Sequence, residues 1–357
     1  MATESEQENR FRQLPRDHQR LDALDLYARV VDRTGLPLKD PAQITGALDD
    51  LRRNLVNVTD SESTLHGWRI QALFEAVIAS LGRVQLLKQE DVGDVFLSGP
   101  TIAVPDYRVI TEHGEQMLVE VKNHHRNNPE SPYRVRVTDL EALREYAELV
   151  GVGTLTFAIY WSRWNLWTLT SDQLFEPDPP NHVSISLPDA LKGNRMGSVG
   201  DRMPATEWPI GLTFRTDPEK PRTIDPDGKA EFTIGGVEFT VAGRVVSSST
   251  EQQILFRLMM HGGWSEEAPV EVIDNEVISF SFLYSPEEPP PPSQGFAMHG
   301  PLSSIYSALF NNSTTTESGE VTALRLDIDP GSLATLIPDD YDGEVLKIWR
   351  FRQEPSE

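Results

Sequence analysis

Three short stretches carry residues able to do chemistry together: Glu75 in "ALFEAVIAS", Pro105-Asp106 in "AVPDYRVI", and Glu120-Val121-Lys122 in "MLVEVKN". On a β-strand, side chains two apart share a face, so Glu120 and Lys122 point one way while Val119 and Val121 point into the core. Asp106 opens the preceding strand, and with "EHGEQ" as a hairpin turn, antiparallel pairing predicts that Asp106 and Glu120 share a site. Glu75 lies in a helix whose other residues from Ile70 to Leu81 are apolar apart from Gln71 and Ser80. A lone carboxylate there is costly, so Glu75 needs a cation. Carboxylates joined by a backbone carbonyl form a hard-oxygen set suited to Mg²⁺ or Mn²⁺ with waters retained. A lysine beside such an ion can hold or help deprotonate an attacking water and offset the charge of a phosphate in flight.

The elements that must position these residues follow from periodicity. Residues 1–9 read as a polar tail, followed by helical patterns near 16–33 and 41–55. A third helix over 64–81 has Ile70, Phe74, Val77, Ile78 and Leu81 at helical spacing, alanines filling the other side and Gly82 as a stop. "RVQLL", "VFLS", "YRVIT" and "QMLVEVKN" read as strands, and Thr138-Asp-Leu-Glu141 as the capping box of a helix closing at Gly151. "TLTFAIYW" and "WNLWTLT" add two more strands, so helix, three strands, helix and two strands predict one mixed sheet between helices. Beyond about residue 212 the pattern changes to α+β: a strand pair around Gly235-Gly236, a helix at "TEQQILFRLMMHGG", and strands at "VISFSFLY", "ALRLDI" and "VLKIWRF". The expected organisation is a tail with helices over 1–60, an α/β domain over 61–212 and a separate α+β domain over 213–357.

Composition narrows the function classes. The 357 residues contain no cysteine, which excludes a disulfide framework, a thiolate nucleophile and a Cys-based zinc site. No apolar run approaches membrane-spanning length and the acidic start lacks the pattern of a signal peptide, so a cytoplasmic protein is expected. The net charge is −23, unevenly placed: residues 1–175 hold 19 basic and 26 acidic side chains, residues 176–357 hold 13 and 29. Any polyanion should therefore meet the first half.

Taken together, Glu75 on a helix, Pro105-Asp106, Glu120-Val121-Lys122 and the following helix and strand resemble the PD-(D/E)xK nuclease superfamily, with its restriction-endonuclease-like fold, over residues 64 to about 170. The resemblance implies that Asp106 and Glu120 bind Mg²⁺ or Mn²⁺ with the carbonyl of Val121. It makes Glu75 the helix acid that completes or tunes the site and Lys122 the catalytic lysine. It further implies a phosphodiesterase acting on DNA in preference to RNA, of the kind found in bacterial restriction and phage defence. Two other functions stay open: an inactive relative binding a basic partner through its acidic surface, and an effector gated by a small ligand. The acidic second half suggests regulation, a protein partner or a homo-oligomer.

After Lys122, "NHHRNNPESPYRVR" supplies Arg126, Arg134 and Arg136, read as a substrate lip; the alternative is a solvated loop whose arginines pair with nearby acids. His124 and His125 point to opposite faces of a strand and read as polar side chains at the surface rather than metal ligands. Trp161, Trp164 and Trp167 read as core, Met259, Met260 and His261 as helix-end packing, and "TIGGVEF" lacks the glycine order of a phosphate loop.

Overall fold

A computed structural model of the chain describes residues 11–13, 22–31, 37–91, 94–126, 128, 130–291 and 293–355. The polar tail over 1–9 lies outside them, as does most of the first half of the helix expected near 16–33; its described part is α1, Ala23–Val30. Helix α2, Pro41–Thr59, starts where Asp40 accepts a hydrogen bond from the Ala42 N–H and proline takes the first helical position, the start signal that the sequence carries. Helix α3, Glu62–Leu81, is capped by Ser61 and stopped by Gly82 at φ 63°. A side chain at Gly82 would collide with the backbone of Gly331, so both conformation and space require glycine there.

The chain then builds a five-stranded mixed sheet from β1 (Val84–Gln89), β2 (Tyr107–Thr111), β3 (Gln116–His124), β5 (Leu155–Trp161) and β6 (Leu166–Ser171), in the order β1-β2-β3-β5-β6. All neighbours are antiparallel except β3 and β5. That parallel pair needs a crossover, which β4 (Tyr133–Arg136) and helix α4 (Val137–Leu149) supply. The alternation along β3 divides the core. Met117, Val119 and Val121 join Phe74, Val77 and Ile78 of α3, while Leu118 faces α4 with Phe157, Leu140 and Leu143. Strand β5 is buried along its whole length because it has neighbours on both edges and helices on both faces. Mixed α/β architecture with several sheets is thus present.

Local expectations fail in instructive places. "VFLS" is an exposed loop, and "ALRLDI" runs as irregular chain. The capping box at Thr138 does not form, because α4 begins one residue before it, with Arg136 at the cap position and the Thr138 hydroxyl turned to Asp139. Gly235 and Gly236 lie inside β11 (Ile234–Val241), and the turn to β12 (Arg244–Val246) falls at Ala242-Gly243, both with positive φ. Gly235 instead permits a close approach to the backbone of Asp217.

Residue 212 lies within β10 (Ile210–Thr216), which pairs with β11 on one side and β15 (Glu276–Ser285) on the other in a second, antiparallel sheet. An apolar cluster runs from α3 through Ile210, Leu255, Phe310 and Leu346, and helix α7 (Leu302–Thr314) packs on α3. The N–H groups of Gly331 and Leu333 donate to the carbonyls of Ala79 and Ser80 at the end of α3, both at 2.9 Å. No helix among the described residues is long and apolar enough to cross a membrane.

Candidate active site

Strands β2 and β3 pair with Tyr107 opposite Val119, which sets Asp106, just outside the ladder, across from Glu120. The backbone cements that placement. Past the last β2 partner, Val121 has its N–H free on the β2 edge, and it donates to Asp106 Oδ2 at 2.7 Å. A strand residue sends its N–H and C=O to the same edge, so the Val121 carbonyl looks toward Asp106 as well. Asp106 Oδ1 accepts from the side-chain amide of Gln71 on α3 at 2.5 Å. Asp106 is buried, with its carboxyl held by a strand on one side and a helix on the other.

Glu120 and Lys122 point to the α4 face, as their spacing requires, and their charged groups meet at 2.5 Å. Burial pushes the Asp106 carboxyl up to about 7, and the charge of Glu120 pushes it the same way against the pull of the Val121 N–H and of Lys122. Burial alone would lower the Lys122 ammonium, but Glu120, with smaller contributions from Tyr133 and Asp106, holds it above its ordinary value. Lys122 is therefore a fixed positive charge at neutral pH. Tyr133, on β4, is pushed up to about 12 chiefly by burial and stays a neutral hydroxyl beside the Glu120–Lys122 pair.

Glu75 does not join this group. Its Oε2 accepts from the Tyr107 hydroxyl at 3.3 Å and lies 3.6 Å from the guanidinium of Arg325, so the cation that its burial demands comes from the irregular segment after α7. Glu75 lines a separate groove of about 860 Å³ between α3 and the edge strand β1. Among the described residues, no three His, Cys, Asp or Glu side chains cluster closely enough to hold a metal ion. The Tyr107 hydroxyl also donates to the Gln71 carbonyl at 3.1 Å, which links the two places through Gln71.

The arginine lip divides. Arg134 is taken by Asp178 at 2.6 Å, the pairing with nearby acids that the sequence also allowed. Arg126 and Arg136 are exposed and form no ion pair among the described residues. His124 is buried rather than on the surface, with its Nε2 2.8 Å from the Ser131 carbonyl and its ring 4.6 Å from that of Trp161. Burial keeps it below its ordinary pKa. Trp161 and Trp167 are core, whereas Trp164 sits exposed on the turn between β5 and β6.

Sequence reasoning missed Gln71, Tyr107, Tyr133 and Arg325. Gln71 had a signal: it precedes Glu75 by one helical turn on the same face of a buried helix, and an amide was passed over in favour of an acid. Arg325 had none, because its approach depends on how a long irregular segment returns to α3.

The carboxylate pair fits a hard divalent cation of the magnesium kind, which commonly takes only one or two protein carboxylates and keeps its waters. Asp106 and Glu120 bring two carboxylates into one buried place, with a single ammonium to offset them. In comparisons with known proteins, no family model and no curated sequence matches the chain.

Proposed function

We propose that this protein is a metal-dependent nuclease that hydrolyses phosphodiester bonds of DNA. One observation carries the reading: Asp106, held by the Val121 N–H at the open end of a strand pair, is close enough to Glu120 and Lys122 for the charge of each to act on it, fourteen residues from Glu120 in sequence. Asp106, Glu120 and the Val121 carbonyl would hold Mg²⁺ or Mn²⁺, and the restriction-endonuclease-like arrangement of the mixed sheet is part of the same proposal. When bound, the ion supplies positive charge against the phosphoryl oxygens and lowers the pKa of its water.

The protein's own residues do the rest. Gln71 and the Val121 N–H fix both oxygens of Asp106, so the carboxylate loses little freedom on taking a ligand. Lys122 keeps its proton and would offset the negative charge that builds on the phosphoryl oxygens of a phosphodiester bound beside it. Arg126 and Arg136 stand free to meet backbone phosphates. Substrate preference for DNA over RNA rests on the family resemblance, as does a role in restriction or phage defence.

A second reading has an observation of its own. Glu75, the acid that the resemblance assigns to the site, is engaged by Tyr107 and Arg325, as in a nuclease-like sheet that has lost its chemistry. Incubation with plasmid, linear and single-stranded DNA and with RNA, each with Mg²⁺, Mn²⁺ or chelator, separates the two. Cleavage that chelator stops and that Asp106→Asn and Lys122→Met abolish is the expected result. Cleavage untouched by both variants would remove the assignment, and calorimetry showing no Mn²⁺ site dependent on Glu120 would favour the inactive reading.

A further inference from the structure

Arg69 is buried to 7% exposure on α3, yet among the described residues it forms no ion pair with a carboxylate. Its Nη1 donates to Asn311 Oδ1 at 2.8 Å and to Thr314 Oγ1 at 3.0 Å on α7, and its guanidinium lies 5.9 Å from the centre of the Phe310 ring. Those contacts are neutral. They spread the charge but cannot cancel it, and the Nε–H is sealed from solvent without any acceptor. Nη2 has no hydrogen bond among the described residues and is not among the sealed atoms, so the open corner of the guanidinium is the one that remains. A guanidinium cannot shed its proton to escape burial, and among the described residues no acid offsets its charge, so an anion from outside would be stabilised there.

Further hydrogen-bonding groups gather at the same end of the sheet. His66, one turn before Arg69 on α3, is close enough to Arg69 and to His125 for both to act on it, and burial together with those neighbours keeps it below its ordinary pKa, so it offers a neutral imidazole. His125 leaves β3 on the α3 side, opposite to Lys122, and its Nδ1 lies 3.1 Å from Ser162 Oγ on the exposed turn that carries Trp164. Arg126 follows it, exposed. Glu62, the nearest acid acting on His66, is solvent-exposed and does not reach Arg69.

We infer that Arg69, with His66 and His125, forms an anion pocket that takes a phosphate group. Guanidinium and imidazole together match phosphate oxygens in number and geometry, and an anion there supplies the counter-charge that the interior withholds. The pocket stands on these residues alone. Its assignment to a backbone phosphate of the nucleic-acid substrate rests on the nuclease reading. His125 lies five residues beyond Glu120 along the chain, about 16 Å at strand rise, and on the other face of the sheet, so a strand of nucleic acid that meets both places has to pass over the end of the sheet.

Binding of a fluorescent single-stranded oligonucleotide, followed by anisotropy in chelator so that no cleavage is needed, tests the pocket at several salt concentrations. Arg69→Gln and the surface variants His66→Gln and His125→Gln should each weaken binding, Arg69→Gln by roughly 10-fold with the salt slope reduced by about 1. Thermal melting with inorganic phosphate forms the second arm: phosphate should raise the Tm of the wild type and leave Arg69→Gln unmoved. A phosphate response lost in Arg69→Gln, with oligonucleotide binding unchanged in all three variants, would keep the pocket and assign it to free phosphate. Unchanged salt slopes together with no phosphate response would overturn it and leave Arg69 a tie between α3 and α7. An inactive Asp106→Asn protein that still binds through Arg69 would separate failure of the nuclease reading from failure of the pocket.

Discussion

Two buried aspartates of this protein live in opposite surroundings. Asp201 is enclosed by donors: the Ser303 N–H at 3.1 Å, the Ser303 hydroxyl at 2.5 Å and the Arg202 N–H at 3.0 Å. Asp106 has one backbone N–H and one amide, and its other neighbour is a second carboxylate. Burial raises both, Asp201 to about 6 and Asp106 to about 7, but at Asp201 the hydrogen bonds work against the rise while at Asp106 Glu120 adds to it. The first arrangement holds a loop to the start of α7. The second keeps a place for positive charge, since two acids forced together are stabilised by whatever cation comes between them.

Substitution should separate the two most sharply. Asp106→Asn is expected to cut metal-dependent DNA cleavage by roughly 1,000-fold while leaving the Tm equal or higher, because it removes the repulsion with Glu120 and keeps the Glu120–Lys122 pair. Asp201→Ala should do the reverse. It strands three donors and should cost about 3 kcal/mol or more in denaturant unfolding, with cleavage by the folded fraction retained. Equal loss of stability in both variants would make Asp106 one more structural acid.

The pH dependence of stability offers a finer comparison. Both carboxyls have folded pKa values raised above the unfolded 3.8, so the native state holds protons that the unfolded chain releases. Their contribution to stability is whole below that value and is lost as pH rises, through about 6 for Asp201 and about 7 for Asp106. Between pH 6 and 7 the decline should belong mostly to Asp106, at no more than about 1.4 kcal/mol per unit. Subtracting the unfolding curves of Asp106→Asn from those of the wild type should show a difference in that interval; parallel curves would mean that Asp106 is not held near neutrality.

The smallest effects concern α3. Gln71→Ala frees one oxygen of Asp106 and should lower kcat about 10-fold with KM little changed. Glu75→Gln, at a side chain whose polar partners among the described residues are Tyr107 and Arg325, should stay within about 3-fold. A larger loss for Glu75→Gln than for Gln71→Ala would restore the role that the family resemblance gives to Glu75.

Much of this arrangement can be read without coordinates. The spacing of Glu120 and Lys122 decides their common face, and the hairpin between "YRVIT" and "QMLVEVKN" decides that Asp106 meets Glu120, because strand periodicity and a short turn are local matters. The apolar pattern of α3 and its glycine stop are equally local, and they hold. Less local features misled. The glycine pair at 235–236 looked like a turn and proved to be a close approach between chains, and Thr138 and Glu141 had the types of a capping box but not the helix start.

What the sequence alone determined, then, is the common face of Glu120 and Lys122 and the place of Asp106 at the open end of the same strand pair, because side-chain direction along a strand and pairing across a tight hairpin follow from backbone geometry. The tertiary structure alone decided which helix residue reaches Asp106, which cation answers Glu75, and that Arg69 is buried beneath α7 with no acid paired to it among the described residues. Each of those depends on the angle at which α3 crosses the sheet and on segments that return from more than 200 residues away, as Asn311 does to Arg69. Packing of that range is set by the whole core at once, and no local pattern encodes it.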